Sequence, residues 1–123
     1  MTPPPKAPRY VLLPLTEVLG DIAALAELGA DGIEAATAAL DDLAHGRLIG
    51  KELGDRNVSG DLTGLARVKF DVAGQRPQRF RLIYRQVDAS TREIVAIGVR
   101  DEHAIYRLAV TRLRPRAGPE TLA

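Results

Sequence analysis

The chain has 123 residues, no cysteine and a formal net charge of +1, which excludes disulfides, thiolate metal sites and cysteine nucleophiles and fits one domain able to bury a core without covalent staples. No apolar run approaches the roughly 20 residues of a membrane-spanning helix, and residues 1–8 lack the apolar core of a signal peptide, so a cytoplasmic protein with no membrane partner is expected. The small net charge conceals a split: residues 1–46 carry two basic and seven acidic side chains, net −5, and residues 47–123 carry fifteen basic and nine acidic, net +6. Charge gathered in this way is an electrostatic footprint suited to nucleic acid or to an acidic protein, the alternative being a solvated basic surface.

Residues 1–8 (M-T-P-P-P-K-A-P) predict an extended or disordered tail. Residues 9–13 (R-Y-V-L-L) read as a short first strand ended by Pro14. Thr16 is the expected N-cap of a helix in which Leu15, Val18, Leu19, Ile22 and Leu25 follow the 3.6 period, stopping near Gly29. Asp31 opens a second helix with Ile33, Ala36, Leu40 and Leu43 inward and Glu34, Asp41 and Asp42 outward, ending at Gly46. So short a link predicts an antiparallel helical hairpin, and its alanines allow close approach.

Residues 47–64, rich in glycine and polar side chains, read as a long connection of functional or mobile character. The next strand is expected at residues 65–72, with Ala66, Val68, Phe70 and Val72 on one face and Arg67, Lys69 and Asp71 on the other. A hairpin loop containing Gly74 and Pro77 leads into residues 79–87, where Phe80, Leu82 and Tyr84 alternate with Arg79, Arg81 and Arg85. After the turn D-A-S-T-R, residues 93–99 form a nearly continuous apolar run, which predicts a strand covered on both faces, with Arg100 at its exit. Asp101 then caps a last helix in which Ile105, Leu108, Ala109 and the stem of Arg112 make one row and Tyr106, Val110 and Leu113 another. Residues 114–123 form a second tail around a domain at 9–113. The expected class is α+β: a small antiparallel sheet of about four strands, an N-terminal helical hairpin and a C-terminal helix.

Hairpin partners align their faces, so Arg67, Lys69, Arg79, Arg81 and Arg85 are expected on one surface. Arg100 has the parity of Ala96 and Gly98, which are expected to floor a groove there while Val95, Ile97 and Val99 pack beneath the helices. The cluster Arg67, Lys69, Arg81, Arg100 and Tyr106 carries the chemistry. Guanidinium groups clamp a phosphate through bidentate, charge-assisted hydrogen bonds and stabilise a pentavalent transition state without metal. A lysine crowded by arginines has its ammonium form disfavoured and moves toward the range where it takes a proton. Tyr106 can stack on a base or orient the phosphate. The competing reading is a solvated arginine face with a core tyrosine.

His103, beside Arg100, is either a bystander or a proton-transfer group. His45 has no second histidine at metal-binding spacing and reads as a helix C-terminal residue, so neither metal nor cofactor is expected. The glycines around Gly60 and Gly64 lack a following G-K-[ST] and a strand feeding a helix, and read as turn chemistry.

The runs G-D-L-T-G-L-A-R-V-K-F, F-R-L-I-Y-R, I-V-A-I-G-V-R and H-A-I-Y-R-L-A, after a strand-helix-helix opening, resemble the RelE/ParE superfamily of bacterial toxin–antitoxin toxins. The resemblance is close over residues 48–113 and rests on element order ahead of them. It implies a small antiparallel sheet with helices against one face. For RelE-like members it also implies a ribosome-dependent, metal-independent messenger-RNA endonuclease. The basic pair of the strand ahead of the hairpin falls on Arg67 and Lys69, the arginine of the R-L-x-Y strand on Arg81, the arginine after the buried strand on Arg100, and the tyrosine of the last helix on Tyr106. On that basis Lys69, or alternatively His103, is the base for attack of the RNA 2′-OH on the adjacent phosphate. Arg67 and Arg81 hold the phosphate, Arg100 supports the transition state or protonates the leaving group, and Tyr106 orients the substrate.

Three positions depart from the pattern: Arg67 stands where lysine is usual, the hairpin loop is long, and Glu102 or His103 replaces a basic side chain ahead of the tyrosine. The implied partners are a cognate antitoxin, acidic and partly disordered, together with the ribosome and messenger RNA. ParE-like members share the fold, act on DNA gyrase and generally lack this residue set. A gyrase inhibitor, or a nucleic-acid-binding module without catalysis, is the alternative.

Overall fold

A computed structural model describes residues 7–56, 60–100 and 104–113. Residues 1–6 and all of 114–123 from the expected tails, the expected cap Asp101, and Glu102 and His103 lie outside them. The elements run β1 (Val11–Pro14), α1 (Thr16–Ala26), α2 (Ala30–Ala44), β2 (Lys51–Arg56), β3 (Gly60–Phe70), β4 (Phe80–Asp88), β5 (Thr91–Val99) and α3 (Ala104–Leu113). They build one five-stranded sheet in the order β1-β5-β4-β3-β2. Its last four strands form an antiparallel meander, and β1 pairs parallel with β5. The sheet is therefore mixed and has one strand more than the sequence predicts. Among the described residues no helix is long and apolar enough to cross a membrane.

The additional strand comes from the glycine-rich stretch expected to be a connection. Lys51–Arg56 pairs with residues 60–67 of β3, whose start lies five residues ahead of the expected one. Gly54 and Gly64, at φ of 68° and 86°, take the left-handed backbone that this hairpin requires, and the register shifts between Glu52 and Gly54. Glycine is the residue that adopts such angles without steric cost, so a composition typical of loops here serves an irregular strand pair.

Thr16 is not the N-cap of α1. Leu15 holds that position in extended backbone, because its N–H donates to the Ile94 carbonyl at 2.9 Å and prolongs the β1–β5 pairing by one residue. The helix begins only where that pairing ends. The link from α1 to α2 is tight enough that a Cβ on Gly32 would lie 2.1 Å from the backbone oxygen of Leu25. Only glycine permits that approach.

Helices cover both faces of the sheet, not one. Val18 and Leu25 of α1 and Ala36, Ala39 and Leu43 of α2 pack with Val68, Phe80, Leu82, Tyr84, Ile94 and Ile97. On the opposite face Ile105, Tyr106 and Ala109 of α3 pack with Leu53, Leu62, Leu65, Ile83, Val95 and Ala96. Full burial of a side chain such as Ile105 contributes about 1.5–3 kcal/mol, so α3 is held by its own second core. Ile94 and Ile97 face one core while Val95 and Ala96 face the other, because the β4–β5 register shifts at Ile83/Tyr84 and leaves Val95 as a bulge.

Strand β1 pairs only with Thr91–Ile94, which leaves the far half of β5 without a strand on that side. Side chains complete the edge. Asp21 Oδ2 accepts the Ile97 N–H at 3.0 Å, and Arg112 Nη1 donates to the Val95 carbonyl at 2.9 Å. The two are joined to each other at 2.6 and 2.8 Å, an ion pair that ties α1, β5 and α3 together. Hydrogen bonding from Asp21 raises the pKa of the Arg112 guanidinium.

Arg92, part of the stretch read as a turn, is only 4% exposed. Its guanidinium lies 3.8 Å from the Tyr10 ring centre and 5.1 Å from that of Tyr84, and its Nη1 donates to the carbonyls of Leu43 and Leu48 at 2.9 and 3.2 Å. It fastens the end of α2 to the sheet.

Candidate active site: a basic recess beneath the last helix

The β3–β4 register sets Arg67 opposite Ile83 and Lys69 opposite Arg81, with Val68 and Leu82 pointing to the other face. Arg67, Lys69 and Arg81 therefore share one side of the sheet, the side covered by α3. Tyr106 from the first turns of α3 and Arg100, just past β5, close a recess of about 120 Å³ lined by these five residues. Every candidate of the sequence reading except His103 thus meets in one place. Whether His103 joins them falls outside the described residues.

Arg81 is the anchor of the recess. It is 5% exposed, and its Nη1 donates to the backbone carbonyls of Gln78 and Phe80, the latter at 3.1 Å. Its Nε is buried with no hydrogen-bond partner among the described residues. Buried donors in folded proteins are almost always paired, so a fixed guanidinium with one donor left over suits an anion that completes the set. Tyr106 is 2% exposed, its ring in the α3 core and its edge on the recess.

Lys69 is exposed, and its pKa lies below the ordinary lysine value. The positive charge of Arg67 is the main cause, followed by partial loss of hydration and the charges of Arg81 and Lys51, with Tyr106 acting in the opposite sense. Arg100 is exposed at the rim, and its backbone N–H donates to the Arg79 carbonyl at 2.8 Å, carrying the β4–β5 pairing one step past the strand ends.

The basic surface is smaller than parity alone suggests. Arg85 has the right face but lies at the other end of β4, where Glu93 directly opposite takes its Nε at 2.6 Å. Arg79 precedes β4 and lies outside this recess, though it lines the adjoining basic cavity; its Nη1 is held by Gln75 Oε1 at 2.6 Å and its guanidinium lies 5.8 Å from the Phe80 ring centre. Ala96 and Gly98 do not floor a groove on the basic surface; Gly98 lines instead an apolar cavity between α1, the end of β5 and α3. Ala96 is fully buried, and a Cβ on Gly98 would lie 3.3 Å from Ile105, so α3 sits on the strip expected to be open. Val95, expected with Ile97 and Val99 beneath the helices on the face away from the basic surface, turns to α3 on the basic side through the bulge. Lys51, in the stretch read as a connection, pairs in register with Arg67 and adds a charge that the sequence reading overlooked.

No protein-family model matches the chain, and no curated protein is similar enough in sequence to align with it. Among solved structures it superposes on the toxin RelE of E. coli, a double arginine-to-alanine mutant in the free state, at 20% identity. The alignment covers 86% of this chain and 99% of that chain with a TM-score of 0.55. The chain has the RelE fold that the sequence motifs led us to expect, with a fifth strand, a parallel β1–β5 pair and helices on both faces that they did not.

Proposed function

We propose that this chain is the toxin of a bacterial toxin–antitoxin pair, acting in the cytoplasm as a metal-independent endoribonuclease that cuts messenger RNA on the ribosome. One observation carries the reading: four cationic side chains and a phenol converge on a single recess, with Arg81 fixed and its Nε unpartnered. That the structure of the same fold belongs to a toxin supports it further. In this reading Arg67 and Arg81 grip the scissile phosphate. Lys69, its pKa lowered by Arg67, takes the proton of the neighbouring 2′-OH. The 2′-oxygen then bonds to phosphorus as the bond from phosphorus to the 5′-oxygen breaks, leaving a 2′,3′-cyclic phosphate and, after the leaving oxygen takes a proton from water, a 5′-hydroxyl. Arg100 neutralises charge on that oxygen, and Tyr106 orients the strand. The cognate antitoxin is an acidic, partly disordered protein that covers the recess.

Induced expression followed by mapping of RNA ends tests this. The native chain arrests growth and produces new 5′-hydroxyl ends in messenger RNA. Losing one electrostatic donor to a transition state costs about 2.7–4 kcal/mol, so Arg81→Ala lowers cleavage about 10² to 10³-fold in a protein that still folds and unfolds cooperatively. Undiminished growth arrest by folded Arg81→Ala protein, together with loss of supercoiling activity by gyrase, points instead to action through protein binding.

A further inference from the structure

The recess under α3 opens onto a second one. Residues 71–79, the long loop between β3 and β4, are fastened internally: the Gln78 N–H donates to Asp71 Oδ1, the Gln75 N–H to the Val72 carbonyl at 3.0 Å, and Arg79 Nη1 to Gln75 Oε1 at 2.6 Å. Gln78 has a φ of 55°, the one non-glycine residue in the left-handed region among the described residues, and its carbonyl receives the Arg81 guanidinium. Arg100 holds the carbonyl of Arg79 through its backbone N–H. That backbone region is unfavourable for a residue with a side chain, so the loop keeps this shape against a local preference. The shape sets Arg76 and Arg79 beside Arg81 and Arg100.

Together with Lys69 and Gln78, these residues line a cavity of about 440 Å³ that shares Lys69, Arg81 and Arg100 with the first recess. Pro77 completes the lining, and among the described residues no carboxylate contributes to it. Two adjoining cavities with three cations in common and further arginines at the outer end suit two adjacent anions on one ligand. A single isolated anion uses only the inner one.

We propose that this loop forms a second phosphate subsite, which holds the phosphate next to the one in the inner recess, so that single-stranded RNA lies across both. The proposal rests on the endoribonuclease reading above. Arg76 and Arg79 are binding residues in it, and they act on affinity for a strand.

The test uses the full chain and two 2′-O-methyl RNA probes, which bind without being cut: a labelled pentanucleotide and a dinucleoside monophosphate with a single phosphate. Fluorescence anisotropy over a salt series is the readout. The Arg76→Ala/Arg79→Ala variant weakens the pentanucleotide about tenfold and the one-phosphate probe far less. It also lowers the slope of log affinity against log salt by roughly 0.7, the share of one single-strand phosphate. Equal loss on both probes overturns the second subsite and makes the loop a support for the first. No loss on either, with Arg67→Ala still weakening both, overturns the subsite while the RNA reading stands. A native chain that binds neither probe overturns both.

Discussion

Arg81 and Arg92 are both buried arginines, and the difference between them separates a structural residue from a candidate catalytic one. Arg92 is met on every side: two carbonyls, the Gln86 side chain and two tyrosine rings take its charge and its donors. Arg81 keeps a buried donor without a partner in a recess where its neighbours are also cations. Cations gathered around a buried unpaired donor repel one another, and an anion relieves the arrangement. The same crowding governs Lys69, whose pKa is lowered chiefly by Arg67. The neutral amine is the active form of a general base, so cleavage rises with pH and levels off at a pH below that of an unperturbed lysine. Because Lys69 is exposed, salt weakens the effect of Arg67, and the rising limb moves to higher pH as ionic strength increases. Lys69→Arg, which keeps the charge and cannot release its proton in this range, removes the limb. A rate profile that stays flat across pH 6–10 in the native chain would take the role of base away from Lys69.

At the scale of elements, the position of Tyr106 depends on how α3 is moored, and the Asp21–Arg112 pair is that mooring. With side chains 12% and 10% exposed and three hydrogen bonds reaching Asp21, it is nearly out of water. Removing one partner of such a pair leaves an uncompensated charge, and Asp21→Ala is expected to cost about 3–5 kcal/mol in urea unfolding. Pairing it with Arg112→Met restores most of the loss, and double-mutant additivity would show that the two groups do not act together. None of this was legible in the sequence, where Arg112 counts only as a stem in a helical stripe. What was legible had a period. The stripes of α1 and α2 and the alternation of residues 65–72 and 79–87 place the helical hairpin and set Arg67, Lys69 and Arg81 on one face. The Val95 bulge escaped because four consecutive apolar residues carry no mark of which two share a side. Strand β2 escaped because its glycines serve the backbone rather than a packed face. The side on which α3 lies escaped because an amphipathic helix states what it buries but not against which face of a sheet. Glu93 as the partner of Arg85 required a register that only folding supplies.

Across the whole molecule the charge split along the chain becomes a split across the sheet. The helical hairpin, with Asp31 and Glu34 exposed, covers one face, and Lys51, Arg67, Lys69, Arg81 and Arg100 gather on the other side or at its rim. Arg47 takes up Asp41 and Asp42 at 2.6 Å each, so part of the acidic surface is neutralised within the chain, while the five described residues that meet in the basic recess include no acidic one. In the function proposed above, an acidic antitoxin segment approaches a molecule whose field is directional, and it is drawn to the α3 side. Steering of this kind raises association rates by roughly 10 to 10³-fold and depends on a screening length that shrinks from about 10 Å at 0.1 M salt to 3 Å at 1 M. Contacts formed after docking are short and partly dry, so they feel salt much less. Raising salt from 50 to 500 mM is thus expected to slow association of the pair by roughly tenfold while dissociation changes by about twofold or less, as read by stopped-flow or surface binding. Charge reversal at the rim, as in Arg100→Glu, lowers the association rate at low salt and flattens its salt dependence. An association rate indifferent to salt would set the antitoxin on the other face, against the acidic helical hairpin, and would leave the recess open to RNA in the complex.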